Sequence, residues 1–226
     1  LLDIRDTVAD YAELIARVVG VDVEVVDAGL NRLAGTGLYA SGVGENIRAE
    51  GETYRHVMRI RRSFVMETPR EHFICTRCPG RDLCRETLSI STPIIDGSDV
   101  LGVIGLVCST DEDRARVLGH KDVYVQFIER CAEFILHKLH DHADPPLLRA
   151  RSFLDIMLRI LEINSRGIVI FNAKGGISYL NDIARRDLGL KDDGLPTDVQ
   201  FKRTGESFSD LEEFVVTARS RKHTLM

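Results

Sequence analysis

Leu88-Ser-Ile-Ser-Thr-Pro-Ile-Ile-Asp-Gly-Ser-Asp-Val-Leu-Gly-Val-Ile-Gly-Leu-Val-Cys108 is the stretch of sequence that decides the fold. Two apolar runs, 88–95 and 100–108, flank an Asp-Gly-Ser turn, and this arrangement predicts a β-hairpin. Gly102 and Gly105 lie inside the second run, where glycine indicates a bend or a close approach of another backbone. The stretch therefore predicts a pair of antiparallel strands.

Upstream of the hairpin, the patterns predict a helix followed by shorter elements. Apolar residues recur at helical spacing over residues 3–19, which favours an amphipathic opening helix. Residues 21–26 alternate and are rich in Val, as is typical of a strand. Three further elements are predicted before the hairpin: a return strand over 30–34, loop and helix over 38–62, and a short strand over 63–66.

Downstream of the hairpin, a long helix precedes a change of pattern. Apolar residues form one stripe along 122–140, as on an amphipathic helix. Pro145 and Pro146 end that helix and indicate a domain boundary, and a second helix is predicted over 147–163. The remaining elements are predicted as a strand over 167–171, a turn over 172–176, a strand over 177–180, a helix over 182–188 capped by Asn181, and one strand or a tight hairpin over 213–225.

The composition carries no nucleic-acid or membrane signature. Among 226 residues, 44% are hydrophobic and the formal net charge is −5, which disfavours a surface for nucleic acid. The sequence has no apolar run of membrane-spanning length and no signal-peptide pattern. Five cysteines, three of them clustered, are typical of a reducing compartment, so we expect a cytoplasmic protein. Because the chain begins without Met and stops inside a predicted strand, we expect a piece of a larger protein.

A cysteine-rich segment, Cys75-Thr-Arg-Cys78-Pro-Gly-Arg-Asp-Leu-Cys84, precedes the hairpin and is called the cysteine loop (residues 75–84). C-x2-C spacing lets two thiolates reach one ion or cluster, and the third cysteine follows a short Pro-Gly turn. Thiolates are soft ligands, so the pattern leaves open zinc, an iron–sulfur cluster and a metal-free redox dithiol. The spacing matches neither common ferredoxin pattern. Four arginines near the loop would favour thiolates: Arg70, Arg77, Arg81 and Arg85.

A closed metal site needs a fourth ligand from outside the loop. We rank Cys108 first, because the end of a strand at a sheet edge could present it to the loop. His72, three residues before the loop, ranks second and suits zinc. Cys131 lies on the apolar stripe of the long helix, where a lone cysteine is usually a small core residue. The predicted ligands are therefore Cys75, Cys78, Cys84 and Cys108, with His72 as the alternative to Cys108.

The sequence contains no catalytic constellation. G-x-S-x-G and H-E-x-x-H, the motifs of serine hydrolases and zinc proteases, are absent from it. The C-x-x-C step lacks the flanks expected of a thioredoxin-like dithiol. His137, His140 and His142 suit the negative end of a helix dipole better than a metal. We therefore expect a protein that is not an enzyme.

Two parts of the chain resemble known signalling domains. Residues 1–140 resemble a GAF-type sensor domain of bacterial sigma-54-dependent transcriptional activators, through the opening helix, the cysteine loop, the hairpin and Val21-Asp-Val-Glu-Val-Val-Asp-Ala-Gly-Leu-Asn-Arg-Leu-Ala-Gly-Thr-Gly37. Residues 152–226 resemble the first part of a PAS domain, through Arg166-Gly-Ile-Val-Ile-Phe-Asn-Ala-Lys-Gly-Gly-Ile-Ser-Tyr-Leu-Asn-Asp-Ile-Ala184. The resemblance implies an α+β fold: a GAF-like antiparallel sheet with flanking helices, long connecting helices and a truncated PAS domain.

The resemblance also implies a domain plan and partners. It divides the chain into a GAF-like sensor with the cysteine loop (1–142), a helical linker (143–164) and a partial PAS domain (165–226). It implies a homodimer formed through the linker helices, with ATPase and DNA-binding domains in the full-length protein. The given sequence contains no G-x-x-x-x-G-K-[ST] phosphate loop and no basic recognition helix, so we expect neither ATP nor DNA to bind this region directly.

These observations predict the signal-sensing region of a transcriptional regulator. The cysteines are expected to hold an iron–sulfur cluster, with 4Fe–4S in first place and zinc second. Redox, oxygen or metal state would then change the packing of helices 122–140 and 147–163. The alternative is a small-molecule sensor with a structural zinc in the cysteine loop. A thiol oxidoreductase ranks third.

Overall fold

The computed structural model describes residues 1–140, 147–171, 176–190, 200–208, 211–218 and 221–225, with side chains described over 1–140, 153–171 and 176–190. The chain divides into two units, Leu1–Asn164 and Ser165–Met226. The predicted boundary at Pro145 and Pro146, His142 and most of the predicted turn 172–176 lie outside the described residues. The described helices include none with the length and apolar character needed to cross a membrane.

The first unit combines one sheet with five helices in its described residues. In chain order the elements are α1 (Arg5–Val19), β1 (Asp22–Asp27), β2 (Arg32–Gly35), α2 (Glu52–Ile60), β3 (Phe64–Met66), β4 (Leu88–Asp96), β5 (Asp99–Cys108), α3 (Asp111–Gly119), α4 (Lys121–Leu139) and α5 (Leu147–Glu162). Short 3-10 helices occupy Leu2–Ile4, Gly37–Gly42, Phe73–Arg77 and Arg81–Leu83. This is the predicted α+β class, and the opening helix, the strands and the long helix fall where the sequence places them.

The predicted hairpin forms the centre of the sheet. The strand order is β2-β1-β5-β4-β3, every pair is antiparallel, and β4 and β5 pair from Leu88↔Cys108 to Asp96↔Asp99. Gly102 shows the close approach that the sequence predicts, because a Cβ at this position would lie 2.2 Å from the carbonyl oxygen of Val26. A larger residue would push β1 and β5 apart at the middle of the sheet.

Both faces of the sheet are covered by helices. Val23 and Val25 of β1 lie in the larger core with side chains from α1, α4 and α5. Val26, the next residue along β1, lies in a smaller core on the other face with Tyr54 and Val57 of α2. Because side chains alternate along a strand, consecutive residues enter different cores. Burial of apolar area in both layers is the main stabilising contribution, on the order of 25 cal/mol per Å².

Helices α4 and α5 pack side by side in the first unit. Phe153 of α5 stacks on Phe127 of α4 with ring centroids 6.1 Å apart, and it lies 4.5 Å from the ring of Phe134. Ile156 and Ile160 of α5 are buried in the larger core. The predicted role of this helix as a linker stays a prediction, but its buried residues Ile156 and Ile160 belong to the core of the first unit.

Helix α3 was missing from the sequence-based prediction. It is mostly charged, and among its residues only Val117 is buried, so it shows no apolar periodicity. Its start is fixed by Thr110, whose Oγ1 accepts a hydrogen bond from the Asp113 amide at 3.1 Å. Such an N-cap satisfies an amide that the helix itself leaves without a partner.

The second unit contains two small sheets. Its elements are β6 (Val169–Phe171), β7 (Ile177–Leu180), α6 (Asp182–Asp187), β8 (Gln200–Phe208), β9 (Leu211–Ala218) and β10 (Arg221–Leu225). Strands β6 and β7 pair with each other, and β8, β9 and β10 form an antiparallel sheet in the order β10-β9-β8. The hairpin alternative for 213–225 is confirmed by β9 and β10, whereas β8 was not predicted.

The predicted cap at Asn181 is confirmed. Its Oδ1 accepts hydrogen bonds from the amides of Ala184 at 3.0 Å and Ile168 at 2.8 Å, so it caps α6 and holds the start of the hairpin. The PAS assignment of this unit stays a prediction.

Candidate functional site

The cysteine loop is a succession of tight turns with a period of three residues. Amide-to-carbonyl bonds join Cys75 to His72 (2.9 Å), Cys78 to Cys75 (3.1 Å), Arg81 to Cys78 (3.2 Å) and Cys84 to Arg81 (3.3 Å). The two 3-10 helices end at Cys78 and Cys84, which both have an extended backbone, so the winding is interrupted at each of these cysteines. The turns therefore keep the three cysteines in one compact segment without aligning them on one side.

The loop thiols are half-buried and are not joined in a disulfide. Burial raises the pKa of the Cys78 thiol, and a hydrogen bond from the Gly80 backbone acts in the opposite direction. The pKa of the Cys84 thiol is likewise raised, first by burial and then by the Glu86 carboxylate, against a hydrogen bond from the Glu86 backbone. The sulfurs of Cys78 and Cys84 therefore each have a backbone donor two residues further along the chain. Cys75 contributes to the rise in pKa of both thiols.

A buried carboxylate cluster, comprising Glu24, Arg32, Tyr39, Tyr54 and Glu86, lies on the α2 side of the sheet. Arg32 Nε donates to Glu24 Oε1 at 2.6 Å, and the Tyr54 hydroxyl donates to the other oxygen of Glu24. The Tyr39 hydroxyl donates to Glu86 Oε1 at 2.6 Å. Glu24 is 2% exposed and Arg32 is 8% exposed, so this ion pair is taken out of water.

Burial dominates the electrostatics of this cluster. It raises the pKa of Glu24 despite the opposing effects of Tyr54 and Arg32. It also raises the pKa of Glu86, although the Tyr39 hydrogen bond acts in the opposite direction. The pKa of Tyr39 is raised by burial, by Glu86 and Glu24, and to a smaller extent by Cys84. Cys84, two residues before Glu86, therefore lies close to the cluster.

Cys108 lies on the other face of the sheet. Along β5, Ile104, Leu106 and Cys108 alternate into the larger core, whereas Gly105 faces the ring of Tyr54. Cys108 is 1% exposed, and burial, followed by the nearby Asp113 carboxylate, raises the pKa of its thiol to about 12. The three loop cysteines therefore lie near enough to raise one another's pKa, whereas Cys108 lies on the other face of the sheet. The four-cysteine ligand set stays a prediction.

The other candidate ligands are also engaged elsewhere. His72 Nδ1 accepts a hydrogen bond from the Ile74 amide at 3.3 Å, and its ring packs against Phe64 and Phe73. Cys131 lies in the larger core, as predicted. Within the described residues, no group of three or more His, Cys, Asp or Glu side chains is arranged to hold a metal ion as it stands.

Both ends of the segment that carries the loop are tied to the helices α3 and α4. Arg114 of α3 donates through Nε to the Thr87 carbonyl and through Nη2 to the Glu67 carbonyl, both at 3.2 Å. Lys121 at the start of α4 pairs with the Glu67 side chain at 3.1 Å. The segment that carries the loop is therefore anchored to α3 by hydrogen bonds and to α4 by an ion pair.

The buried carboxylate cluster was missed by the sequence-based reasoning. Glu24 alternates with valines, a pattern that indicates an outward polar position on a strand with one solvated face. Tyr39, Tyr54 and Glu86 come from three separate segments of the chain, and only tertiary packing brings them to Glu24. The one signal available was a charged residue in a strand that otherwise consists mostly of valine.

No protein-family model matches the chain. Over 190 residues it is 24% identical to UacR of Escherichia coli strain K12, a proposed uric acid sigma-54-dependent transcriptional regulator. The match covers 84% of this chain and 31% of that regulator, so the chain spans about a third of its relative's length. The chain is homologous to part of a sigma-54-dependent transcriptional regulator.

Solved GAF-domain structures also resemble the chain at low identity. A GAF domain/HD domain protein from Geobacter sulfurreducens is 12% identical, with a TM-score of 0.40 over 71% of this chain and 91% of that one. The A. aeolicus nlh2 GAF domain in an inactive state is 14% identical, with a TM-score of 0.42 over 57% of this chain and 79% of that one.

Proposed function

We propose that this chain is the sensory region of a sigma-54-dependent transcriptional regulator, and that it senses redox, oxygen or metal state through a thiolate-ligated centre in the cysteine loop. An iron–sulfur cluster of the 4Fe–4S type is the first choice of occupant, and zinc is the alternative. The observation that supports the proposal is that three half-buried thiols, none of them in a disulfide, lie in one ten-residue loop and are near enough to raise one another's pKa.

The thiols of the cysteine loop are the type of ligand that a soft metal centre takes. Backbone hydrogen bonds from Gly80 and Glu86 favour the thiolate forms of Cys78 and Cys84. Hydrogen bonds to ligating sulfurs are among the ways in which a protein tunes such a centre. The carboxylates of Glu50 and Glu86 oppose ionisation of the same thiols. A bound cation would relieve that opposition, because it attracts both the thiolates and the carboxylates.

The loop supplies three of the four ligands of a closed site, and binding requires the three sulfurs to turn toward a common centre. Cys108 is separated from the loop by the sheet, so we propose Cys75, Cys78 and Cys84 as the ligands that this chain contributes. When bound, the centre would supply electron or ligand exchange. The protein's own part is to hold the thiols half-buried and to connect the loop to α4.

We propose that Arg114 of α3 holds the loop segment in place by joining its two ends. Replacing Arg114 with Gln removes the guanidinium that bridges the two ends of the loop segment, and hydrogen bonds from charged groups are worth about 1.5–3 kcal/mol when well buried. Because this site is partly solvated, we expect a loss near the lower limit, about 1.5 kcal/mol, confined to the loop. Hydrogen exchange at the amides of Cys75, Cys78 and Cys84 should accelerate by roughly tenfold.

Arg130→Gln is the matched control for this experiment, because Arg130 is an exposed arginine of α4 paired only within its own helix, with Glu133. It should leave exchange in the loop unchanged. Equal acceleration in both variants, or none in Arg114→Gln, would contradict the role of Arg114 as the bridge.

The activity of the whole regulator is part of the same proposal. Association of two copies through the linker helices, an ATPase module that acts on polymerase and a DNA-binding domain are proposed for the full-length protein, since the chain spans only part of its relative. The present region would contribute sensing and no catalysis.

A small-molecule sensor with a structural zinc is the second candidate. The buried carboxylate cluster favours it, because acid–tyrosine pairs such as Tyr39 and Glu86 are groups that hydrogen-bond a polar ligand. The name of the relative refers to uric acid, and urate is therefore the first compound to test.

The deciding experiment is an absorption spectrum with iron, sulfide and zinc analysis on protein purified without oxygen. We expect a broad band near roughly 400 nm with on the order of four irons per chain. Colourless protein with about one zinc per chain, together with a melting temperature raised by urate, would favour the second candidate. Protein that binds neither iron nor zinc would overturn the metal assignment.

A further inference from the structure

An open cleft of about 450 Å³ lies between α2 and the 3-10 helix Phe73–Arg77. It is formed by side chains on the outward side of α2, away from the buried carboxylate cluster. Its wall from α2 carries Arg55, His56 and Arg59, and its wall from the 3-10 helix carries Phe73 and Arg77. The volume falls within the range of sites that bind small organic molecules, about 300–1,000 Å³.

The cleft carries an excess of positive charge. Three arginines line it, and Glu52 is the only carboxylate among its described lining residues. Glu52 pairs with Arg55 at 2.6 Å. Within the part of the chain that the structure describes, neither Arg59 nor Arg77 has a carboxylate at ion-pair distance. Arg59 instead contacts His56 Nδ1 at 3.0 Å, a contact that requires the neutral imidazole as acceptor.

Two titratable groups of the cleft report the same positive potential. The pKa of Glu52 is lowered, first by its hydrogen bond from Arg55 and then by the charges of Arg55, Arg77 and Arg59. The pKa of His56 is lowered by burial and by the charge of Arg59, with smaller contributions from His72 and Arg62. An anion is thus stabilised in this cleft and a cation is disfavoured.

A row of four aromatic rings adjoins these charges and ends in Phe73. Phe73 is 70% exposed, although large apolar side chains are usually buried. The centroid of its ring lies 4.5 Å from that of His72. The row continues from His72 to Phe64 at 5.7 Å and from Phe64 to His56 at 4.9 Å. The aromatic row is held in place from below, while the outer ring remains available to stack on a ligand.

We propose that this cleft binds a planar aromatic anion, whose acidic group is held by Arg59 and Arg77 and whose ring packs on Phe73. Guanidinium groups recognise carboxylates and related oxyanions through paired donors and also stack on aromatic rings. An anion without a ring would leave Phe73 exposed, and a ring without charge would leave the guanidiniums unpaired. The proposal does not depend on a metal in the cysteine loop, although Arg77 belongs to both features.

A fluorescence titration with 2-naphthoate tests the proposal on the full chain. The protein has no Trp, so the emission of the probe can be read without overlap. We expect saturable binding, and Arg59→Gln and Arg77→Gln should each weaken it by about tenfold, which corresponds to one charge-assisted hydrogen bond. Phe73→Ser should weaken the binding of 2-naphthoate by a similar factor. The matched control is Arg17→Gln, an exposed arginine of α1 on the opposite side of the sheet, and it should bind like the parent.

Two further probes separate charge from shape. 2-Naphthamide keeps the ring and lacks the charge, and acetate keeps the carboxylate and lacks the ring. Both should bind at least tenfold more weakly than 2-naphthoate. Equal affinity for 2-naphthoate in the parent and in both arginine variants would overturn the proposed site. Displacement of 2-naphthoate by an equal concentration of acetate would also overturn it, because it would show nonspecific anion binding.

Discussion

Arg32→Gln is expected to lower the free energy of unfolding by about 3–5 kcal/mol, the usual cost of removing one partner of a buried ion pair. Arg32 Nε lies 2.6 Å from Glu24 Oε1, and both side chains are almost completely buried. Without the guanidinium, the Glu24 carboxylate keeps only the Tyr54 hydroxyl as a donor. The loss is measured by urea denaturation followed by far-UV circular dichroism, with the slope compared between variants.

The size of this loss should depend on pH in a defined direction. The pKa of Glu24 is raised in the folded protein above the ordinary 4.5, chiefly by burial, so the folded state holds this proton more tightly than the unfolded state. At pH values below the pKa that Glu24 has in the unfolded chain, the protonated carboxyl therefore stabilises the fold. That contribution is lost as the pH rises through the pKa that Glu24 has in the folded protein. Because Arg32→Gln raises the folded pKa further, its cost should be smaller at about pH 5 than at about pH 8.

A double variant identifies the origin of the loss. Glu24→Gln combined with Arg32→Gln removes both charges and should recover most of the stability lost in Arg32→Gln. Arg130→Gln, which removes one partner of an exposed pair on α4, should cost less than about 1 kcal/mol. A double variant as unstable as Arg32→Gln would show that the cost does not come from a stranded carboxylate.

Cys78→Ser should remove the proposed metal centre. A serine hydroxyl has nearly the shape of a thiol but is a hard and weakly acidic ligand, so a soft metal or cluster loses one of its anchors. We expect the iron content of protein purified without oxygen to fall from on the order of four atoms per chain to near zero. Cys75→Ser and Cys84→Ser should have the same effect, because each cysteine supplies one ligand.

Two alanine variants serve as controls for the cysteine experiment. Cys108→Ala tests the predicted fourth ligand, which the structure places across the sheet from the loop, and Cys131→Ala tests a core thiol. Both should retain the metal content of the parent, with some loss of stability from the small cavities. Loss of metal in Cys108→Ala would restore Cys108 as a ligand and contradict its separation from the loop. Metal retained in Cys78→Ser would exclude the loop as the site.

Local features of the fold could be predicted well from sequence. The hairpin was found because an Asp-Gly turn between two apolar runs permits few alternatives, and the long helix because its apolar stripe repeats over five turns. Helix α3 and strand β8 escaped prediction. The first has five charged residues among nine and one buried side chain, so we attribute its stability to capping by Thr110 and to docking through Val117 more than to an apolar stripe.

The sequence by itself determined the pairing of β4 with β5 and the presence of three thiols spaced by multiples of three, because both depend on residues close together in the chain. Tertiary structure alone decided on which face of the sheet each strand residue lies. Glu24 is buried beside Arg32, and Cys108 lies in the larger core, because helices cover both faces and leave no solvated side. Alternation along a strand distinguishes two faces, but it does not indicate what covers either of them.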